Sequence, residues 1–241
     1  MQDEKIRLCV DHPLGPGQGV PLTEAQAHYL FGVMRLAVGD RLRLFNGRDG
    51  EWRAEVEAAG RRSGALRVTG QTRPQAQGAD LWLMFAPLKK ARTDMLVEKA
   101  VELGATRLMP ILTEYANAER FRPDKAEAHV REAAEQCETT LLPQVDAPRP
   151  LTRVLADWPE GRRLIWADEG AGRAGERLAP LPEGPAAILI GPEGGFSPPE
   201  RARLAALPYV TPIALGPRIL RAETAAIAML TLWQAQRGDW V

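Results

Sequence analysis

The stretch "LIGPEGGFSPPE" (189–200) decides the fold. It ends an apolar run at Gly191-Pro192 and continues through Gly194-Gly195 to Ser197-Pro198. An unbroken apolar run indicates a strand that is covered on both faces. Serine followed by proline is typical of a helix start, with Ser197 as N-cap. A strand, a glycine turn and a helix in this order favour an α/β domain with a mostly parallel sheet.

A second strand ends in the same way, at Gly216-Pro217 in "YVTPIALGPRIL" (209–220). In an open parallel sheet, ligands bind outside the carboxyl ends of the strands. Glycine turns at that edge would let a ligand approach bare backbone. Each turn taken alone could equally be an ordinary connection between a strand and a helix.

The chemistry of the first glycine turn argues against a phosphate ligand. The chain has neither the Gly-Lys-Ser/Thr of a P-loop nor the Gly-x-Gly-x-x-Gly of a dinucleotide site, and Glu193 lies in the turn. A ligand that lacks phosphate, bonds to backbone and tolerates a carboxylate fits better. S-adenosylmethionine has this chemistry, because its sulfonium is cationic.

Strands and helices alternate through the rest of the C-terminal part. We predict helices over 93–104, with Thr93 or Asp94 as N-cap and Gly104 as stop, and over 124–141. Further strands are expected in "LWLMFAPL" (81–88), "TRLMPIL" (106–112) and "RRLIWADE" (162–169), and a last helix in "RAETAAIAMLTLWQAQR" (221–237).

The first third of the chain has the alternating pattern of β-strands, in "DRLRLFNG" (40–47), "RDGEWRAEVEAAG" (48–60) and "GALRVTG" (64–70). A helix is predicted over 23–40, with Thr23 as cap. Several short strands with one helix indicate a small barrel. Because residues 72–80 have the composition of a linker, we expect two domains, 1–73 and 74–241.

Composition excludes several classes of protein. Lys plus Arg and Asp plus Glu number 31 each, and 45% of residues are hydrophobic, which is typical of a soluble globular protein. The two cysteines, Cys9 and Cys137, are expected to be reduced thiols, and the three histidines lack metal-ligand spacing. No apolar stretch is long enough to cross a membrane. A cytoplasmic protein without a bound metal is therefore predicted.

Together, "LIGPEGGFS" and "LGPRILRAETAAIAML" resemble the C-terminal signature of the SPOUT methyltransferases, and more narrowly the 16S rRNA (uracil(1498)-N3)-methyltransferase family. "HYLFGVMRLAVGDRLRLFNGRDGEW" resembles that family's PUA-like RNA-binding barrel, and "EKAVELGATRLMPILTEYA" and Glu135-Gln136 resemble its central segments. The family usually has Arg shortly after Glu-Gln, where this chain has Thr139 or Thr140.

The resemblance implies a C-terminal domain with a deep trefoil knot, and a homodimer that methylates N3 of a uridine in 16S rRNA, within the small ribosomal subunit. It also implies that S-adenosylmethionine is held by the segments around Leu189–Gly195 and Leu215–Ala225. The residues assigned to the cofactor are Leu189, Ile190, Gly191, Pro192, Glu193, Gly194, Gly195, Leu215, Gly216, Ile219, Leu220, Arg221, Thr224 and Ala225.

The implied reaction needs a way to remove the N3 proton and a cation near the uracil oxygens. Arg218 and Arg221 can supply cations and Glu223 an acid, with Glu193 as the other candidate carboxylate. Glu223 could instead only stabilise its helix N-terminus. Candidate RNA-binding residues, any of which could be merely solvated, are Arg35, Arg41, Arg43, Arg48, Lys89, Lys90 and Arg92.

The last helix also predicts a homodimer. No charge occurs between Glu223 and Arg237, and apolar residues surround the helix, with Ala222, Ala226, Met229 and Trp233 in one stripe. Such a helix must be buried on more than one face, so a second copy is the simplest cover. Two other functions stay open at this point: a non-catalytic RNA-binding or ribosome-assembly factor, and a metabolic α/β enzyme.

Overall fold

The computed structural model describes residues 5–116, 121–171 and 183–240. It divides into two compact units. The N-terminal unit comprises the chain up to Gln77 together with Ala134–Leu142, and the C-terminal unit comprises Gly78–Ala133 and the chain from Pro143 onward. The sequence did not indicate that a segment so far along the chain packs with the N-terminal unit.

The N-terminal unit is built on a sheet with the strand order β1-β3-β4-β5-β2. Neighbouring strands pair antiparallel except β1 and β3. Leu42, Leu44, Ala54 and Val56 point into one core, as the alternation predicts. The strands are β1 (Arg7–Cys9), β2 (Gly19–Pro21), β3 (Arg41–Phe45), β4 (Glu51–Ala59) and β5 (Gly64–Arg73).

The predicted helix over 23–40 is wrong in extent. An α-helix, α1, covers only Glu24–Ala27, and a π-helical segment follows at His28–Val33. Thr23 caps α1 as predicted, because it and Gln26 form a reciprocal capping box. The chain leaves the helical conformation at Arg35, whose φ is 58°. Periodicity alone does not reveal this early exit.

The C-terminal unit is a parallel sheet flanked by helices. The strand order is β12-β10-β11-β6-β7-β8, with β9 also paired to β7. All five residues of β11 are buried, as expected for a central strand. The strands are β6 (Leu81–Phe85), β7 (Arg107–Leu112), β8 (Gln144–Val145), β9 (Arg149–Pro150), β10 (Arg163–Ala167), β11 (Ala186–Ile190) and β12 (Val210–Ile213).

The helices of this part of the chain are α2 (Lys90–Glu102), α3 (Pro123–Gln136), α4 (Leu151–Ala156), α5 (Pro198–Ala206) and α6 (Ala222–Arg237). Ser197 caps α5 in a capping box with Glu200, as the Ser-Pro start predicted. The predicted cap of α2 is wrong, because the helix begins three residues before Thr93. The Thr93 hydroxyl is buried and donates to the Leu88 carbonyl at 3.0 Å instead. Gly104 ends α2 with a φ of 73°.

Helix α3 ends five residues before the predicted end at 141, and its last residues, from Ala134 onward, belong to the N-terminal unit, where their carbonyls accept from Arg7. The Arg7 guanidinium donates to the carbonyls of Ala134 at 2.6 Å and Glu135 at 3.2 Å, and to that of Thr139 at 2.9 Å. A cation at a helix C-terminus also complements the helix dipole. Thr140 is buried and accepts from the Ala76 N–H at 3.2 Å, so this position serves packing here.

Arg7 also belongs to an ionic cluster around Glu51, a carboxylate with 1% of its surface exposed. Glu51 accepts from Arg7 Nε at 2.7 Å, Arg73 Nη2 at 2.6 Å and the Thr72 hydroxyl at 2.9 Å. Burial raises the pKa of Glu51, but the hydrogen bonds from Arg73, Arg7 and Thr72 outweigh it and lower the pKa to about 2. The Glu51 carboxylate is therefore ionised and ties β4 to β1 and β5.

Within the described ranges, no helix combines the length and the apolar surface needed to span a bilayer. Cys9 is buried, Cys137 is exposed, and no disulfide joins them.

Candidate functional site

Three neighbouring strands, β12, β10 and β11, release the chain at the same edge of the C-terminal sheet. Their exits enclose a cavity of about 600 Å³. The cavity therefore lies where parallel sheets bind ligands. Its walls come from residues 190–196 after β11, 213–222 after β12 and 166–169 at the end of β10, with Arg92, Arg201 and Ala225 completing the lining.

The first glycine loop needs glycine at two positions, at Gly195 for its backbone conformation and at Gly191 for lack of space. Gly195 has a φ of 72°, and its N–H donates to the Pro192 carbonyl at 2.9 Å. A Cβ on Gly191 would lie 2.7 Å from the Phe196 ring. Phe196 packs edge-on against Trp166, with ring centroids 5.8 Å apart. The loop is therefore shaped by close packing and presents backbone to the cavity.

The second loop runs from Ala214 to Arg221 and is more open. Gly216 has a φ of 99°, and Ile219 is 88% exposed. Arg221 lies at the N-cap position of α6 in an extended conformation. Arg218 and Arg221 both line the cavity, and neither forms an ion pair with a residue in the described ranges. Two guanidinium groups are thus available at the rim.

The third wall, at the end of β10, was not predicted from the sequence. Trp166 and Ala167 at the end of β10 and Asp168 and Glu169 directly after it line the cavity without any glycine among them. Asp168 accepts from Arg201 at 2.7 Å. Two acids directly after a buried strand were the available signal, since all parallel strands end at one edge.

Most residues assigned to the cofactor from the sequence do meet in this cavity. Leu189 and Thr224 do not line it: Leu189 is fully buried in the strand, and Thr224 is exposed on α6. The assigned residues that line the cavity are Ile190, Gly191, Pro192, Glu193, Gly194, Gly195, Leu215, Gly216, Ile219, Leu220, Arg221 and Ala225.

Arg92, which the sequence suggested as an RNA contact, lies at the candidate cofactor cavity. It lines the cavity and forms an ion pair with Glu193 of the first loop. Its Nη1 also lies 4.0 Å from Glu223 Oε2, a buried oxygen with no hydrogen-bond partner among the described residues. Glu223 itself does not line the cavity. Of the two candidate carboxylates, Glu193 is therefore the one that lines the cavity, and Glu223 contacts Arg92 from outside the lining.

The other candidate RNA-binding residues are mostly exposed. Lys89 and Lys90 lie at the start of α2 and are exposed, as are Arg35, Arg41 and Arg48. Arg43 is the exception, because it is half-buried and pairs with Glu138 at 3.2 Å and Glu51 at 3.6 Å.

Helix α6 buries the stripe of Ala222, Ala226, Met229 and Trp233 in its own chain. That stripe therefore does not provide a free face. The partly exposed side of α6 consists instead of Ile227, Ala228, Thr231 and Leu232.

The chain matches two family models that together account for both units. Residues 75–234 match an RNA methyltransferase domain, and residues 22–69 match an RNA methyltransferase PUA domain. The chain is thus an RNA methyltransferase with a PUA domain.

A relative from Rickettsia conorii, named ribosomal RNA small subunit methyltransferase E, is 30% identical over 95% of this chain and 89% of its own length. A methyltransferase from Legionella pneumophila, solved with bound SAM, is 28% identical, with a TM-score of 0.87 over 97% of this chain and 98% of that one. Ribosomal RNA small subunit methyltransferase E from Neisseria gonorrhoeae, solved with S-adenosyl methionine, is 25% identical, with a TM-score of 0.85 over 98% and 99%. The chain belongs to the family of ribosomal RNA small subunit methyltransferase E.

Proposed function

We propose that this protein transfers a methyl group from S-adenosylmethionine to N3 of a uridine in 16S rRNA. The observation that carries the proposal is the cavity that two glycine loops form across three parallel strand ends, in a chain of this methyltransferase family. The Legionella and Neisseria relatives bind the same cofactor.

The chemistry of the cavity fits S-adenosylmethionine. A volume of about 600 Å³ lies within the usual range for small-molecule sites. The lining contains three acids, Asp168, Glu169 and Glu193, and four arginines, so it offers partners both to the cationic sulfonium and to the anionic carboxylate of the cofactor. The buried Trp166 Nε1–H has no partner among the described residues, so a ligand can accept from it. We assign the cofactor to the twelve lining residues of the two loops and to this third wall.

The bound cofactor supplies an electrophilic methyl group, and the chain has to prepare the nucleophile. Uridine N3 becomes nucleophilic when its proton leaves, and the resulting charge spreads to the ring oxygens. We assign to Arg221 and Arg218, whose guanidinium groups line the cavity, the stabilisation of this charge. We assign the proton to Glu193, which lines the cavity and is held by an ion pair with Arg92. Glu223 positions Arg92 from behind.

The exposure of the candidate arginines and lysines indicates which of them can contact RNA. We propose that the exposed Arg35, Arg41 and Arg48 of the PUA domain contact phosphates, as do Lys89 and Lys90 in the C-terminal unit. Arg43 and Arg92 are set aside from this group, because both are partly buried and paired with carboxylates, whereas the pair of Arg41 with Glu55 is largely exposed.

The remaining parts of the proposal concern architecture and context. We propose the two domains 1–73 and 74–241, a trefoil knot in the second, and a homodimer through α6. The substrate would be 16S rRNA within the small ribosomal subunit, in the cytoplasm. The name of the Rickettsia relative supports the substrate, and the partly exposed face of α6 supports the dimer.

Reverse transcription of 16S rRNA tests the reaction. A methyl on N3 blocks the pairing edge of uridine, so reverse transcriptase should stop at the modified nucleotide. RNA from a strain that lacks the gene should lose this stop, and expression of the wild-type chain should restore it. Nucleoside mass analysis should show the loss of N3-methyluridine in parallel. A stop that persists in the deletion strain would exclude the assigned reaction.

A further inference from the structure

A second cavity lies beside the first at the same edge of the sheet. It has a volume of about 270 Å³ and is lined by Pro87, Leu88, Lys89, Tyr115, Pro192, Glu193 and Gly194. Pro87, Leu88 and Lys89 follow β6, which pairs with β11, and Tyr115 follows β7, which pairs with β6. Residues 192–194 line both cavities, so this loop is a common wall.

Tyr115 gives the second cavity a flat aromatic surface. It is 51% exposed, although an exposed tyrosine ring leaves apolar surface in water. A Cβ on Gly194 would lie 3.4 Å from Tyr115 Cβ and 3.8 Å from its ring, so the bare glycine loop runs alongside the tyrosine. Lys89 adds an exposed cation to the same lining.

We infer that this cavity receives an unstacked pyrimidine nucleotide of the RNA, with its base stacked on Tyr115 and its phosphate near Lys89. The inference rests on the proposed function, because an enzyme that modifies a paired base must first take it out of its stack. A single aromatic face with one cation is typical of single-stranded RNA recognition. The cavity is less than half the volume of the first, which suits one nucleotide better than a second cofactor. Glu193, in the shared wall, would then face the base from the cofactor side.

Binding of a labelled oligouridylate tests the site without any need for catalysis. The protein would be saturated with S-adenosylhomocysteine, and the dissociation constant measured by fluorescence anisotropy at several salt concentrations. Stacking of one base corresponds to about 5- to 150-fold in affinity. Tyr115→Ala should weaken binding within this range, whereas Tyr115→Phe should bind within about twofold of wild type, because the ring is kept.

Lys89 and Lys90 provide a matched pair. Both are exposed neighbours, but only Lys89 lines the cavity. Lys89→Ala should reduce the slope of log K against log salt by about 0.7, the value for one phosphate contact on a single strand. Lys90→Ala should reduce it by less, because the phosphate that we assign to Lys90 lies outside the cavity and is not reached by a short oligouridylate.

A second measurement separates this site from the reaction itself. Methyl transfer to small ribosomal subunits from a deletion strain should fall in kcat/KM for Tyr115→Ala, while the calorimetric Kd for S-adenosylmethionine stays within twofold. If wild type transfers no methyl group, the proposed function fails, and the anisotropy result still decides the cavity. Equal oligouridylate affinity of wild type and Tyr115→Ala, or an equal loss in Tyr115→Phe, would overturn the inference. A changed oligomeric state of Tyr115→Ala would overturn it as well, by assigning Tyr115 to a contact between copies.

Discussion

At the scale of single residues, the buried carboxylate of Glu51 contributes to the stability of the N-terminal unit. Its pKa is lowered from 4.5 to about 2, so the carboxylate stabilises the fold when it is ionised. The stabilisation is complete above pH 4.5 and is lost as the pH falls towards 2. A shift of this size corresponds to about 3 kcal/mol, at roughly 1.4 kcal/mol per unit.

Glu51→Gln should therefore lower the free energy of unfolding at pH 7 by about 3 kcal/mol and flatten its dependence on pH below 4.5. Urea unfolding between pH 2.5 and 7 measures both effects. Glu55→Gln is the matched control, because Glu55 lies on the same strand in a largely exposed pair with Arg41 and should change stability by less than about 1 kcal/mol. Equal effects of the two substitutions would show that the buried ion pairs of Glu51 stabilise the protein no more than an exposed ion pair does.

Arg221 is the residue on which the proposed chemistry depends most. It lines the cofactor cavity and has no ion pair with any described residue, so its guanidinium is available to the reacting base. Arg221→Ala should lower kcat by about 100- to 1,000-fold, as the loss of one preorganised donor usually does. The RNA affinity and its salt dependence should change little, because no phosphate contact is removed.

Single-turnover methyl transfer at saturating RNA measures the effect of Arg221→Ala, and the exposed Arg203 of α5 provides the control substitution Arg203→Ala. Normal turnover of Arg221→Ala would make Arg221 a binding or structural residue and would remove it from the mechanism.

At the scale of elements, the glycine loop after β11 shapes the cavity by packing. A methyl group at Gly191 would lie 2.7 Å from the ring of Phe196, which in turn contacts Trp166 in the cavity wall. Gly191→Ala should therefore displace this aromatic pair, weaken S-adenosylmethionine binding at least tenfold and lower stability by about 1–3 kcal/mol.

Calorimetry and thermal unfolding measure these two effects. Gly15→Ala is the control, since no atom lies within 4 Å of its added Cβ. Unchanged cofactor affinity in Gly191→Ala would show that the loop tolerates the shift and that its glycine is not needed for the cavity.

Elements also show what the sequence could predict. Apolar runs and Gly-Pro exits located β11 and β12, and Ser197 followed by Pro198 located α5, because these signals are local. The early end of α3 was not predictable, since its partner Arg7 lies 127 residues away from Ala134. The position of Arg92 was missed for the same reason: its partner Glu193 comes from another strand exit. Long-range ion pairs leave no periodic pattern in the sequence.

The whole molecule is expected to be a dimer, and we propose that the contact forms through the partly exposed side of α6. Met229 is fully buried within the chain, so a charge there would disrupt the core and report nothing about association. Ala228 and Leu232 lie one turn apart on the partly exposed side, where a second copy could pack closely. In a two-fold contact each side chain near the axis meets its own copy.

Ala228→Glu should consequently separate the protomers, because two introduced carboxylates would be buried together without a partner. We expect wild type to scatter light as a dimer at micromolar concentration and Ala228→Glu as a monomer, with a dissociation constant raised by at least about tenfold. Leu232→Glu should act in the same way, and Ala205→Glu on the exposed side of α5 should leave the dimer intact. Thermal unfolding would establish that each variant is folded. A monomeric wild type would exclude the dimer, and dimeric Ala228→Glu and Leu232→Glu variants would place the contact on another surface, because neither carboxylate could remain buried against its own copy.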